Sequence, residues 1–144
     1  MPERNSRRSG RPGATTDKGP GRVLVAVYAV FVLAAGSRAA VQISTKFSDA
    51  PVAYLLSALA AVVYVVATIS LARSGPRAHR VAVACLTFEL AGVLVVGTYS
   101  LVDRAAFPDA TVWSDYGMGY LFIPLVLPVI GLYYLRTRRG RAGT

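Results

Sequence analysis

Glu89 is the residue of this sequence best placed to do chemistry: a single carboxylate near the middle of the apolar run VAVACLTFELAGVLVVGTYSLV, residues 81–102. As a helix rising about 1.5 Å per residue, the run reaches roughly 33 Å, enough to cross a hydrocarbon layer of about 30 Å. A charged side chain inside a span costs at least about 2.5 kcal/mol on insertion scales, so it faces protein, water or a partner. The obvious complement is Arg38, with Gln42 one turn further along the same segment. Tyr28, Phe31, Ala35, Arg38, Gln42 and Thr45 recur at three-or-four spacing, which places them on one helix face that turns polar toward its far end. Arg38, Gln42 and Glu89 are therefore expected to form an intramembrane polar contact that fixes how the first and third helices pack. If both helices start at the same boundary, Glu89 lies about 12 Å and Arg38 about 22 Å along its own axis, near the limit of two extended side chains. Two other arrangements remain open. Arg38 reaches outward toward Asp103 or Asp109 while Glu89 binds a hydroxyl of Thr87, Tyr28 or Tyr64; or one of the two charges finds its match in another molecule.

The remaining candidates are weaker. Asp103, Asp109 and Asp115 share the polar stretch DRAAFPDATVWSD, but it lacks the dense Asp/Asn spacing and terminal Glu of a calcium loop. It is expected to be a solvated external loop, with Thr111, Trp113 and Tyr116 resting at the membrane interface as an aromatic anchor. The lone Cys85 permits no internal disulfide, and with His79 as the only histidine a metal site is not expected. There is no HExxH, nucleophile elbow or P-loop, and the GMG at residues 117–119 lacks the third glycine and preceding strand of a dinucleotide fingerprint. No enzymatic activity and no cofactor are expected.

Composition supplies the setting. Of 144 residues, 54% are hydrophobic and 16% charged, well under the roughly 25% charged fraction of soluble domains. The reading is all-α: a polytopic four-helix transmembrane bundle, with spans at about 23–44, 52–72, 81–102 and 116–135. A disordered basic tail, 1–22, precedes it and a basic tail, 136–144, follows. The first span is expected to stay uncleaved, because apolarity resumes after Arg38. Pro51 suits the first turn of the second span, and Gly92 offers a partner backbone room beside Glu89. Ser114 or Asp115 can cap the fourth span, where Pro124 and Pro128 predict a bend by removing two backbone donors.

The net charge of +9 is not a nucleic-acid signature, because the basic residues flank the apolar runs instead of striping a surface. Arg4, Arg7, Arg8, Arg11, Lys18 and Arg22, then Arg73, Arg77 and Arg80, then Arg136, Arg138, Arg139 and Arg141 all fall on one side. The other side holds Lys46 and Arg104 with Asp49, Asp103, Asp109 and Asp115. The positive-inside rule then puts both termini in the cytoplasm of a plasma-membrane protein, with anionic lipid at its basic inner face.

With the loop FPDATVWSDYG and the following PLVLP in view, residues 23–135 resemble small uncharacterised four-span integral membrane proteins of high-GC Gram-positive bacteria, a resemblance that implies the architecture and no activity. Small multidrug exporters also have four short spans, but they carry their essential glutamate in the first, where this chain has Arg38. The expected function is a non-catalytic accessory or scaffold subunit of a cell-envelope complex, with a membrane-protein partner or a second copy of itself. The alternative is a small oligomeric ion-coupled transporter using Glu89 and Arg38.

Overall fold

A computed structural model describes residues 19–142, all of whose regular elements are helical. Three long helices, α1 (Gly19–Lys46), α2 (Pro51–Ala72) and α3 (Pro76–Val102), are each long and apolar enough to cross a membrane. Short 3-10 turns at Arg104–Ala106 and Ser114–Tyr120 follow, then α4 (Ile123–Ala142). Three helices are thus long and apolar enough to cross a membrane, and the bent pair formed by the Ser114–Tyr120 turn and α4 is a candidate fourth.

Proline sets two of the helix starts. Pro51 and Pro76 both occupy the first turn of their helices, where a missing N–H has no intrahelical acceptor to lose. The elements outrun the apolar runs. α1 begins at Gly19, not Val23; α3 begins at Pro76, carrying Arg77, His79 and Arg80 on its first turns; and α4 carries Arg136, Arg138 and Arg139 of the expected tail. Hydropathy marks where a helix meets lipid, whereas backbone hydrogen bonding continues into the polar layer until a turn residue stops it. The rest of the expected N-terminal tail, residues 1–18, lies outside the described residues.

α1 packs along α2, α2 along α3, and α3 along both α4 and the 114–120 turn, while α1 and α4 touch only lightly. The inward stripes follow helical period: Leu24, Tyr28, Phe31, Ala35 and Ala39 on α1; Ala53, Ser57, Ala60, Tyr64 and Ala67 on α2; Ala82, Leu86, Glu89, Val93 and Val96 on α3. Alanine and serine dominate the α2 stripe, which lets α1 lie close; such intimacy replaces the hydrophobic drive that is missing between helices in lipid. Large apolar side chains such as Val30, Leu33, Val62, Val95 and Val129 point outward.

The fourth span is not the continuous helix expected over 116–135. The Ser114–Tyr120 turn and α4 meet at 96°, and the break falls at Leu121 and Phe122, both at φ 58°. Left-handed backbone in two consecutive non-glycine residues cannot continue a right-handed helix. The bend therefore precedes Pro124 and Pro128. Pro124 sits in the first turn of α4, whose start is fixed by the Phe122 carbonyl accepting from the Leu125 and Val126 amides. Only Pro128 lies inside the helix.

Candidate functional site

Glu89 stands at the midpoint of α3 and is fully buried. The Tyr28 hydroxyl donates to its Oε2 at 2.7 Å. α1 and α3 have no Cα atoms within 8 Å of each other, so this bond runs across the bundle interior, spanned by the length of the tyrosine. Glu89 thus joins two helices that do not pack directly, which corrects the expected direct packing. Tyr64 of α2 is the second neighbour of the carboxyl, and its hydroxyl accepts from the Trp113 indole N–H at 3.2 Å. Glu89 Oε1 has no hydrogen-bond partner.

Arg38 does not meet Glu89. It is exposed, and it donates to the Tyr120 hydroxyl at 3.3 Å and to the Ala110 carbonyl at 3.4 Å. The offset in depth estimated from helix rise explains this: Arg38 lies well beyond Glu89 toward the acidic end, where the descending 107–122 segment supplies acceptors. Gln42, another turn out, joins neither residue; its Oε1 is buried without a hydrogen-bond partner. An aromatic series fills the interval between Glu89 and Arg38. Ring centroids are 6.0 Å apart for Tyr28 and Tyr64, 5.8 Å for Phe31 and Tyr64, and 5.7 Å for Phe31 and Tyr120.

The loop after α3 does not stay outside as an anchor. Thr111 to Ser114 are all buried, and Trp113, at 2% exposure, lies against Gly92, one turn from Glu89. A local hydrogen-bonded knot makes that descent possible. The Thr111 Oγ1 accepts from the amides of Trp113 and Ser114, while the Ser114 Oγ accepts from the Thr111 amide. Side chains thereby satisfy backbone groups that no helix serves, as the interior requires. Ser114 consequently ties the turn back to Thr111 and does not cap α4, while the Asp115 amide donates to the Ser100 Oγ at 2.9 Å.

Gly92 and Gly97 receive this segment. A Cβ at Gly92 would come within 2.8 Å of the Trp113 ring, and one at Gly97 within 2.6 Å of Tyr116. The room beside Glu89 therefore admits an aromatic ring and not a helix backbone. Tyr116 also exchanges a 2.8 Å hydrogen bond with Thr98. Overpacking of this kind costs about 1–3 kcal/mol. Gly92→Ala should destabilise the fold by that order in detergent unfolding titrations, whereas Gly36→Ala, where nothing lies within 4 Å, should have no measurable cost.

The aspartates disperse. Asp103 Oδ1 accepts from the Ala106 amide, Asp109 Oδ2 accepts from the Tyr54 hydroxyl, and Asp115 Oδ1 is buried without a hydrogen-bond partner. Among the described residues no three His, Cys, Asp or Glu side chains gather as a metal site would require. Cys85 is a free, half-buried thiol.

Three cavities open elsewhere. One of about 580 Å³ lies between the α2–α3 link and α4, a second of about 460 Å³ adjoins it beside α1, and a third of about 590 Å³ follows the seam between α1 and α4. Glu89 lines none of them.

Sequence reasoning missed the Trp113–Tyr64 and Tyr54–Asp109 bonds. One signal was present. Glu89, Gly92, Val93, Val96, Gly97 and Ser100 form a single helical stripe in which small residues alternate with the only other polar group, and such a stripe leaves space that a large ring must fill. These features define a bundle of apolar helices of membrane-crossing length, closed at one end by an inserted aromatic segment. No protein-family model, curated protein or solved structure matches the chain.

Proposed function

We propose that the protein is a non-catalytic accessory or scaffold subunit of a complex in the plasma membrane, with both termini in the cytoplasm. One observation carries this reading: the polar contacts of the interior tie one element of the bundle to another, although Gln42 Oε1, Glu89 Oε1 and Asp115 Oδ1 are buried without partners. Tyr28 holds Glu89, Tyr64 holds Trp113, Tyr54 holds Asp109 and the Ser100 hydroxyl accepts from the Asp115 backbone amide, and Glu89 lines none of the three cavities described. A bundle so tied together presents a fixed outer surface, and its apolar outward side chains are available to lipid and to neighbouring helices. Extraction in a mild detergent followed by mass spectrometry should recover a membrane-protein partner, or a second copy of the chain, in constant ratio. Recovery of the chain alone would overturn the proposal. The orientation rests on the distribution of lysine and arginine, and a reporter fusion that places either terminus outside would reverse it.

A second reading, a small ion-coupled transporter, draws on the broken fourth span. Irregular backbone within a membrane bundle is tolerated where protein or a water-filled path covers it, and transporters place their sites at such breaks. Here the segment leading to the break reaches the carboxyl's neighbours, with Trp113 donating to Tyr64 and Tyr120 beside Phe31, and one Glu89 oxygen has no hydrogen-bond partner. Glu89→Gln separates the two readings. It keeps the shape and the Tyr28 contact, so a scaffold should retain its partner within about twofold, because the net value of a hydrogen bond is small when both partners remain. Ion-coupled flux in proteoliposomes that disappears in this variant would establish transport instead.

A further inference from the structure

The geometry points to a binding site for one anionic phospholipid at the basic end of the bundle, with its headgroup phosphate in a cup of arginines and an acyl chain along the α1–α4 seam. It goes beyond the scaffold reading and rests only on the membrane setting of the helices.

The cup is the 580 Å³ cavity between the α2–α3 link and α4. Arg73, His79, Arg80, Arg138 and Arg139 line it together with Ser74. These residues come from two separate stretches of chain, 73–80 and 138–139, so the convergence is tertiary and is not a simple run of charge. No carboxylate lines it; the described carboxylates are Asp49, Glu89, Asp103, Asp109 and Asp115, all at mid-height or toward the opposite end. Guanidinium groups match phosphate oxygens with paired donors, and arginine is less strongly hydrated than lysine, so it gives up water readily to such a ligand.

A phosphate alone does not account for the whole feature. The 460 Å³ cavity shares Arg73, Ser74 and Arg138 with the cup, adds Arg22, and extends to Tyr134. Tyr134 also lines the third cavity, whose other walls include Val23, Val27, Ile123, Val126 and Ile130. The three cavities therefore form one track that is cationic at the end of the bundle and apolar along its side. Tyr134 stands at the junction with the Arg138 guanidinium 5.9 Å over its ring, as an aromatic residue does where headgroups give way to chains. The open seam follows from the weak contact between α1 and α4, since α4 begins only at Ile123 and leans on α3. Charge complementarity and the change from cationic to apolar along one track select an anionic lipid over a soluble phosphate.

The full-length chain in a neutral detergent, observed intact by native mass spectrometry, tests this with phosphatidylglycerol and phosphatidylcholine as probes. One phosphatidylglycerol should be retained at least about tenfold more strongly than phosphatidylcholine, whose choline cation the arginines repel. Arg80→Gln with Arg139→Gln should remove that preference, and Arg73→Gln with Arg138→Gln is the second variant should the first fail to fold. Arg104→Gln, at the other end, should leave it intact. Val126→Trp, which fills the seam, should weaken phosphatidylglycerol binding while the cup is unchanged. Equal retention of both lipids, indifference to both arginine pairs, or displacement by glycerol phosphate, which has the headgroup and no chain, would each overturn the site. Lipid retention is read on the isolated chain, so it stands or falls separately from recovery of a protein partner.

Discussion

Trp113→Ala should lower stability by about 3–5 kcal/mol, the largest loss expected from a single truncation in this protein. The indole is fully enclosed, with its ring on Gly92 and Phe88 and its N–H on the Tyr64 hydroxyl. In lipid the helices gain little from hiding apolar surface, so the loss comes from van der Waals contact and from the cavity left behind. Trp113→Phe divides the effect. It keeps most of the ring contact but removes the N–H, and should cost about 1 kcal/mol plus the difference in volume. Reversible unfolding in mixed micelles, followed by circular dichroism, measures both. If Trp113→Ala and wild type unfold together, the inserted segment contributes nothing to closing the bundle.

The second large effect concerns the bond across the interior. Tyr28→Phe should cost about 1–3 kcal/mol, because it removes the donor that satisfies Glu89 and leaves a fully buried carboxyl with less support. Replacing both partners should cost less than replacing one. In Tyr28→Phe/Glu89→Leu neither end of the Tyr28–Glu89 bond is left unpaired, Tyr64 keeps its Trp113 partner, and apolar pairs of similar volume often match or exceed a buried polar pair in stability. The expected result is therefore non-additive, with the double variant more stable than Tyr28→Phe alone. Additive losses would show that Tyr28 and Glu89 act independently. The same cycle built on Arg38 and Glu89 should show no coupling, since those side chains have other partners.

These results bear on what a sequence of this kind reveals. The three long apolar helices were legible because runs of twenty or so mostly apolar residues have one economical solution in lipid, and Pro51 marks one of the starts; Pro76, which starts α3, reads in the sequence only as a turn. Glu89 was legible as a buried polar centre for the same reason. Its partner was not, because opposite charge favoured Arg38 while the depth of each residue along its helix favoured a hydroxyl from Tyr28, and only the packed structure ranks the two. Trp113 was misjudged on composition. In FPDATVWSDYG every polar residue suggests water, yet Thr111 and Ser114 use their hydroxyls to replace it for the backbone. The break at Leu121 and Phe122 was hidden as well, since neither residue type favours positive φ. Gly117, at φ 80°, was the nearest local hint.

The inserted segment also implies an order of assembly. Residues 111–122 carry irregular backbone whose amides are met by Thr111, Ser114, Ser100 and the Gly117 carbonyl, and whose rings are met by Gly92 and Gly97. The Ser100 acceptor and the Gly92 and Gly97 surfaces belong to α3, so the segment completes this shape only once α3 is in place. The part of α4 ahead of its arginines, residues 123–135, is about 20 Å of helix, too short to span a hydrocarbon layer by itself. The first three helices can enter the bilayer one at a time, but the last quarter of the chain must be received by a finished partner surface. The protein therefore acquires its final form as a lock does when its bolt is thrown, in a closing step that follows the placing of α3.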